Sequence, residues 1–348
     1  MGLSFGEAAP WVTCATPSNP RYVFSAVAGR YVMLAAAPDA ESQGRIMARL
    51  RALGPRIDGW TFLVFVILRE PEAIAAARDE PPGLRFILDA DGEMTRRFQF
   101  DEAGGWLLLD PTLRALASAP VDDADALFGV IETLPRPEDH AGAPVHAPIL
   151  IAPRIFEPEI CRQLIAHYET TGGAPSGVMR EVDGRTVPML DNYKRRSDAF
   201  VTDPAFQRQL RVRIARRLLP EIERVLQFQV TRLERYIVAC YDGETGGYFL
   251  PHRDNTTKAT SHRKFAVSIN LNDDFEGGDL RFPEYGPRTY RPPLGGAVVF
   301  SCSMLHEATP VTRGRRYAFL PFLYDDEGAR IREENLQFLD TQPPPAKA

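Results

Sequence analysis

The chain has 348 residues, a formal net charge of −5, 44% hydrophobic residues and 25% charged residues. This is the balance of ordinary globular protein and the length of about two domains, which excludes a mostly disordered chain. The acidic balance gives no electrostatic basis for wrapping nucleic acid, and the apolar run at residues 63–68 is far too short to span a bilayer.

The opening MGLSFGEAAPWV lacks a charged start followed by an apolar core, so no signal peptide is expected. Residues 31–36 form an apolar run after a Gly-Arg turn, and 41–53 have helical character. TFLVFVIL at 61–68 has the unbroken apolar run of a strand buried on both faces. A short helix is expected at 72–78 and a strand at 84–88, ending in DADGE. Residues 106–109 and 113–117 flank Asp110-Pro111 and read as a hairpin. A final amphipathic helix is expected over 121–134, opened by acidic residues that suit the helix dipole. Strands alternating with helices imply an α/β sandwich around a mixed sheet over 1–134. LPRPEDHAGAPVHAP then reads as a proline-rich linker, 135–148.

Beyond it the pattern changes. Helices are expected at 158–169 and 204–225, the latter kinked or split by Pro220. From 232 to 324 the chain is short strands with glycine turns, which predicts a jelly roll supported by the preceding helices. The domain is expected to run over 149–340, and TQPPPAKA at 341–348 to be disordered. The four cysteines, Cys14, Cys161, Cys240 and Cys302, are widely spaced with no CxxC, so reduced thiols and a cytoplasmic location are expected.

The informative stretch is PHRDN at 251–255. On a strand, residues two apart point to one face, so His252 and Asp254 aim an imidazole and a carboxylate into the same space. His306 follows 54 residues later, just after the apolar strand AVVFS. Two histidines and one carboxylate on one face of a metal leave positions open, which is the ligand set of non-haem Fe(II) oxygenases. Arg316 lies ten residues further on, in RYAFLPF, where an inward-pointing guanidinium needs an anion. A dicarboxylate that chelates iron at one end and pairs with Arg316 at the other satisfies both observations, and 2-oxoglutarate is such a molecule.

The ordered set HRDN, EGGDLRF, GGAVVFS and LHEATPVTRGRRYAF resembles the iron(II)/2-oxoglutarate dioxygenases of the prolyl-hydroxylase-like group, and VACYDGETGGYFLPHRDN looks especially like the hypoxia-sensing members. The resemblance implies a double-stranded β-helix with Fe(2+) on His252, Asp254 and His306 and 2-oxoglutarate on Arg316. It further implies that Tyr241 and Asn270 contact the co-substrate, and that Tyr248, Arg263 and Asn255 lie toward the substrate. No catalytic side chain beyond the metal ligands is implied. Asn270 stands where the hypoxia group has a co-substrate tyrosine, and Leu320 where it has a threonine. The expected reaction hydroxylates an unactivated C–H bond of a peptide, amino acid or other small molecule, using O2 and leaving succinate and CO2; the family leaves room for ascorbate.

The first half, through GEAAP, VAGRYVMLAAAP, FILDADGEMTRRFQF and WLLLDPTLRALAS, resembles the peroxiredoxin branch of the thioredoxin fold. Where that group needs a thiolate at a helix start, this chain reads Pro38-Asp39-Ala40-Glu41-Ser42-Gln43-Gly44, with no cysteine. The expectation is a non-catalytic scaffold that presents substrate or forms a homodimer. Two rivals stand beside this reading: a non-catalytic binding or regulatory protein with both halves degenerate, and a thiol peroxidase with an accessory jelly roll.

Overall fold

The computed structural model describes residues 2–182 and 184–339. The expected disordered tail, 341–348, lies outside the described residues. The chain forms two compact units. One holds the chain up to Ala147 with Pro283–Pro287; the other holds Pro148–Phe282 and the chain from Arg288 onward. The proline-rich stretch therefore groups with the first unit, where Pro137–Asp139 makes a single 3-10 turn.

The first unit is built on one five-stranded sheet, in the order Leu84–Leu88, Phe62–Leu68, Tyr31–Ala37, Gly105–Leu109, Ala115–Ala119. The first three strands are mutually parallel and the last two antiparallel. Tyr31–Ala37, Phe62–Leu68 and Gly105–Leu109 are buried at every position, which is why they read as continuous apolar runs. Helix Ala40–Leu53 starts where the Asp39 carboxylate accepts from the Ser42 amide at 2.7 Å. Its Ile46 and Leu50, with Leu127 and Ile131 of helix Asp125–Glu132, cover one face of the sheet over Met33, Val64 and Trp106.

Three elements differ from expectation. The second hairpin strand begins at Ala115, not 113, because the Asp110 carboxylate caps the amides of Thr112 and Arg114 and Leu113 turns at φ 60°. The last helix begins at Asp125, not 121, because the Val121 carbonyl accepts from the Trp106 indole instead of a helical amide. Helix Glu93–Arg97 was not expected; the buried Asp89 carboxylate nucleates it by accepting from the amides of Met94 and Thr95.

The second unit is jelly-roll-like, with two principal sheets. The larger has nine strands, in the order Arg232–Glu234, Phe322–Tyr324, Phe265–Asn270, Arg315–Phe319, Ile237–Asp242, Ser197–Phe200, Ala174–Pro175, with Ala297–Ser301 paired to Phe265–Asn270 and Leu150–Ala152 paired in turn to Ala297–Ser301. The smaller runs Lys194–Arg195, Tyr248–His252, His306–Ala308, Leu280–Arg281, Thr289–Tyr290. The alternation of the Ile237–Asp242 strand shows how the layers separate. Val238 and Cys240 join the core shared with helices Pro158–Thr171, Pro204–Arg217 and Leu219–Leu226, whereas Ala239 and Tyr241 join Phe249, Ala308 and Val311 on the inner side. The long basic helix breaks at Leu218, two residues before Pro220, whose ring is tolerated only in the first turn of the next helix. An antiparallel strand pair, Val178–Val182 with Arg185–Met189, and the C-terminal helix Asp326–Asn335 were not read from the sequence. No helix among the described residues is long and apolar enough to cross a membrane.

Candidate metal centre

His252 ends the strand Tyr248–His252, and His306 begins the strand His306–Ala308. The two strands are antiparallel neighbours, and His252 and His306 stand directly opposite each other, so the fold places both rings on one face. Asp254 lies just past the first strand, where its amide donates to the Cys302 carbonyl at 2.9 Å. One ligand atom from each of His252, Asp254 and His306 lies within 4.8 Å of the others. His306 Nε2 is 3.3 Å and His252 Nε2 3.7 Å from the Asp254 carboxylate.

The imidazoles are oriented by the backbone. His252 Nδ1 donates to the Leu250 carbonyl at 2.8 Å and His306 Nδ1 to the Met304 carbonyl at 3.0 Å. A carbonyl can only accept, so each Nδ1 carries the proton and each Nε2 keeps its lone pair for a metal. The Phe249 ring stacks on His252 with centroids 3.4 Å apart and limits its rotation. Burial, reinforced by neighbouring His306, holds the His252 imidazole well below its usual pKa. Burial pushes the Asp254 carboxyl up, but the two imidazoles outweigh it and hold the group far below the usual carboxylate range. Two imidazoles and one carboxylate converging in this way are a donor set that suits Fe(II).

Arg316 stands opposite Tyr241 on the next strand and is 2% exposed. It donates to Asn270 Oδ1 at 3.1 and 3.2 Å and to Ser268 Oγ at 2.7 Å, with its guanidinium 5.3 Å from the Tyr241 ring centroid. It makes no ion pair among the described residues, and a buried guanidinium held only by neutral groups fits the carboxylate of a co-substrate. The Asn270 amide donates to the Pro292 carbonyl at 3.0 Å, which aims its oxygen at Arg316.

The expected substrate residues are less concentrated. Tyr248 donates its hydroxyl to the Asn192 carbonyl at 2.7 Å. Asn255 donates to Ser303 Oγ at 2.8 Å and leaves its own buried Oδ1 without a partner. Arg263 is paired with Glu234 at 2.7 Å and lies over the Phe322 ring at 4.0 Å, its remaining reach being the Asp254 carbonyl at 3.4 Å. His262 faces the same Glu234 at 3.0 Å. Sequence reasoning missed Ser268, which shares a strand face with Asn270, and it gave Arg196 no place beside the co-substrate residues, whereas its guanidinium pairs with Asp198 at 2.7 Å and donates to the Tyr241 hydroxyl at 3.3 Å. The i, i+2 spacing from Asn270 could have found Ser268; no local pattern joins Arg196 to Tyr241.

In the first unit, Cys14 is buried and its thiol is pushed up to about 12 by burial, the opposite of a peroxidatic thiolate. All four cysteines are buried and unpaired.

The chain shares 30% identity over 112 residues with a PKHD-type hydroxylase of Synechococcus sp. (strain JA-2-3B'a(2-13)), covering 29% of this chain and 49% of that protein. It shares 34% over 88 residues with the PKHD-type hydroxylase PiuC of Pseudomonas aeruginosa, covering 23% and 38%. The chain spans about half the length of the curated relatives it matches. Among solved structures, a prolyl hydroxylase of Trichoplax adhaerens in complex with a hypoxia inducible factor peptide fragment aligns with 17% identity and a TM-score of 0.42, covering 53% of this chain and 86% of that one. Residues 236–324, the stretch that carries His252, Asp254, His306 and Arg316, match the 2OG-Fe(II) oxygenase superfamily.

Proposed function

We propose that the chain is an Fe(II)- and 2-oxoglutarate-dependent dioxygenase that hydroxylates an unactivated C–H bond of a peptidyl or amino-acid-like substrate. The observation that carries this reading is the convergence of His252, Asp254 and His306, both Nε2 atoms turned toward the Asp254 carboxylate, together with a buried Arg316 that makes no ion pair among the described residues. Iron and 2-oxoglutarate, when bound, would supply the oxidising chemistry, consuming O2 and leaving succinate and CO2. The chain's own part is positional. His252, Asp254 and His306 would hold the metal, with the Leu250 and Met304 carbonyls keeping the imidazole protons on Nδ1. Arg316 would anchor the co-substrate's distal carboxylate, oriented by Asn270 and Ser268 and backed by Tyr241. Phe249 packs against His252 and keeps water from that side of the ring.

For the first unit the proposed reading is a thioredoxin-like domain of the peroxiredoxin branch without peroxidase function, serving as a scaffold, substrate-presenting surface or dimer contact. The three parallel and two antiparallel strands support the fold, and the Asp39-capped helix that starts without a cysteine supports the lost chemistry.

Anaerobic titration of the full chain with Fe(II), followed by 2-oxoglutarate and O2, tests the reading. Stoichiometric iron and succinate release are expected, and His306→Ala should weaken iron binding at least about tenfold while the chain stays folded. Equal iron affinity in the variant would refute the ligand set.

A further inference from the structure

The inner wall beside the metal ligands carries more positive charge than the proposed co-substrate uses. Lys194 lies on the edge strand Lys194–Arg195, directly opposite Phe249, so the two side chains share a face. That face is the interior one, because Phe249 packs with Tyr241 and Ala308. Lys194 Nζ lies 4.9 Å from the Phe249 ring centroid, and the same ring stacks on His252. Two residues along, just past that strand, the Arg196 guanidinium lies 6.0 Å from the Phe249 centroid and 5.7 Å from that of Tyr241. Arg316 lies over Tyr241 in turn. Three cations therefore line one row, Arg316, Arg196 and Lys194, spaced by two aromatic rings, with Lys194 at the His252 end.

Their compensation is unequal. Arg196 has Asp198, which Arg235 shares at 3.6 Å. Arg316 is the proposed anchor of the co-substrate. Lys194 is half-buried, and its hydrogen bond goes to a neutral group, the Gly177 carbonyl, at 2.6 Å. Burial first, and then the repulsion of Arg196, push its ammonium well below the usual lysine range, although Asp198 and Asp254 pull the other way. A cation drawn from water with no carboxylate in direct contact is costly to the fold and is relieved by an anion seated against it.

We propose that Lys194 is the counter-cation for a carboxylate on the primary substrate, so that the molecule hydroxylated beside His252 is an organic acid and not a neutral group. This rests on the dioxygenase reading of the site and names its substrate class. The carboxylate has two sources, a free amino acid or an acidic side chain within a peptide. Lys194 acts as a specificity residue, contributing charge to substrate binding and nothing to holding metal or 2-oxoglutarate.

The test uses the full chain loaded with Zn(II), with and without 2-oxoglutarate, so that no turnover intervenes. Ligand-observed NMR then compares free L-amino acids with the corresponding L-amino acid amides. It also compares capped tripeptides centred on Asp or Glu with those centred on Asn or Gln. Acids are expected to bind at least tenfold more tightly than their amides in one of the two sets, and that set identifies the source. Lys194→Met should abolish the preference, Lys194→Arg should keep it, and 2-oxoglutarate affinity should stay within twofold in both. The ligand-free Lys194→Met chain should also melt higher than the parent, because a charge with no carboxylate in direct contact is gone; should Met not fold there, Lys194→Gln serves the same comparison. Amides bound as well as acids, no acid bound, an acid preference that survives Lys194→Met, or a tenfold loss of 2-oxoglutarate in that variant would each overturn the proposal. Failure of the parent chain to bind 2-oxoglutarate would instead overturn the dioxygenase reading, and the acid-against-amide comparison without co-substrate would still be read.

Discussion

Replacing Arg316 with methionine separates what the fold needs from what the co-substrate needs. The change removes three hydrogen bonds, two to Asn270 Oδ1 and one to Ser268 Oγ. Asn270 is 1% exposed, so its oxygen is left buried without those donors, at a cost of about 1–3 kcal/mol. Against this, methionine relieves the desolvation of a guanidinium that has no ion pair among the described residues, and it fills much of the same volume. The two effects oppose each other, and the melting temperature of the ligand-free chain should move little. Binding has no such cancellation. Removing one partner of a buried charge-assisted pair costs about 2–5 kcal/mol, which at ~1.4 kcal/mol per decade raises the 2-oxoglutarate Kd roughly 30-fold to 4,000-fold. Arg316→Lys should fall between, since it keeps the charge and loses the planar fork. Calorimetry with 2-oxoglutarate on the metal-loaded, oxygen-free protein measures this, with metal content checked in parallel. A folded Arg316→Met chain that keeps its metal and binds 2-oxoglutarate within twofold of the parent would refute the anchor assignment.

Gly278 sits at φ +68°, and a Cβ there would meet Val311 Cγ2 at 2.7 Å and Arg316 Cδ at 3.1 Å. Gly278→Ala should therefore cost about 1–3 kcal/mol of stability in a denaturant melt and also weaken 2-oxoglutarate binding, two effects that a strained turn remote from Arg316 would not combine. Burial pushes the Glu234 carboxyl up, but His262 and Arg263 outweigh it and hold it at about 2, below its ordinary 4.5. The unfolded chain therefore takes up this proton first, so the stability from Glu234 is present above about pH 4.5 and is lost as pH falls toward 2. Glu234→Gln should flatten that part of the acid-unfolding curve, and an unchanged pH slope would contradict the pairing. Because Cys14, Cys161, Cys240 and Cys302 are all buried, a thiol reagent should leave them unmodified in the native chain and label them after urea. Rapid native labelling of Cys14, with peroxide turnover lost in Cys14→Ser, would restore the peroxidase reading.

The linear sequence determined much of this. The close spacing of His252 and Asp254, an apolar strand before His306, and an arginine in the strand RYAFLPF are local patterns; the strand itself ends at His252, so it is the turn after it, and not the strand period, that brings Asp254 beside His252. Local pattern also made Phe62–Leu68 legible as a strand buried on both sides, and Pro220 as a helix break. Tertiary structure decided which strands stand beside which. His252 faces His306 only because their strands are neighbours in this register, and the period of one strand says nothing about its partner. The cradle of Ser268 and Asn270 around Arg316 spans 48 and 46 residues of sequence for the same reason. Arg263 reads as an exposed substrate contact until the fold brings Glu234 against it from 29 residues away. Lys194 turns inward because its short strand pairs antiparallel with Phe249, a partner that the local sequence does not name. Whether a charge ends in water or in the interior depends on the strand opposite it, and that information exists only once the sheet has formed.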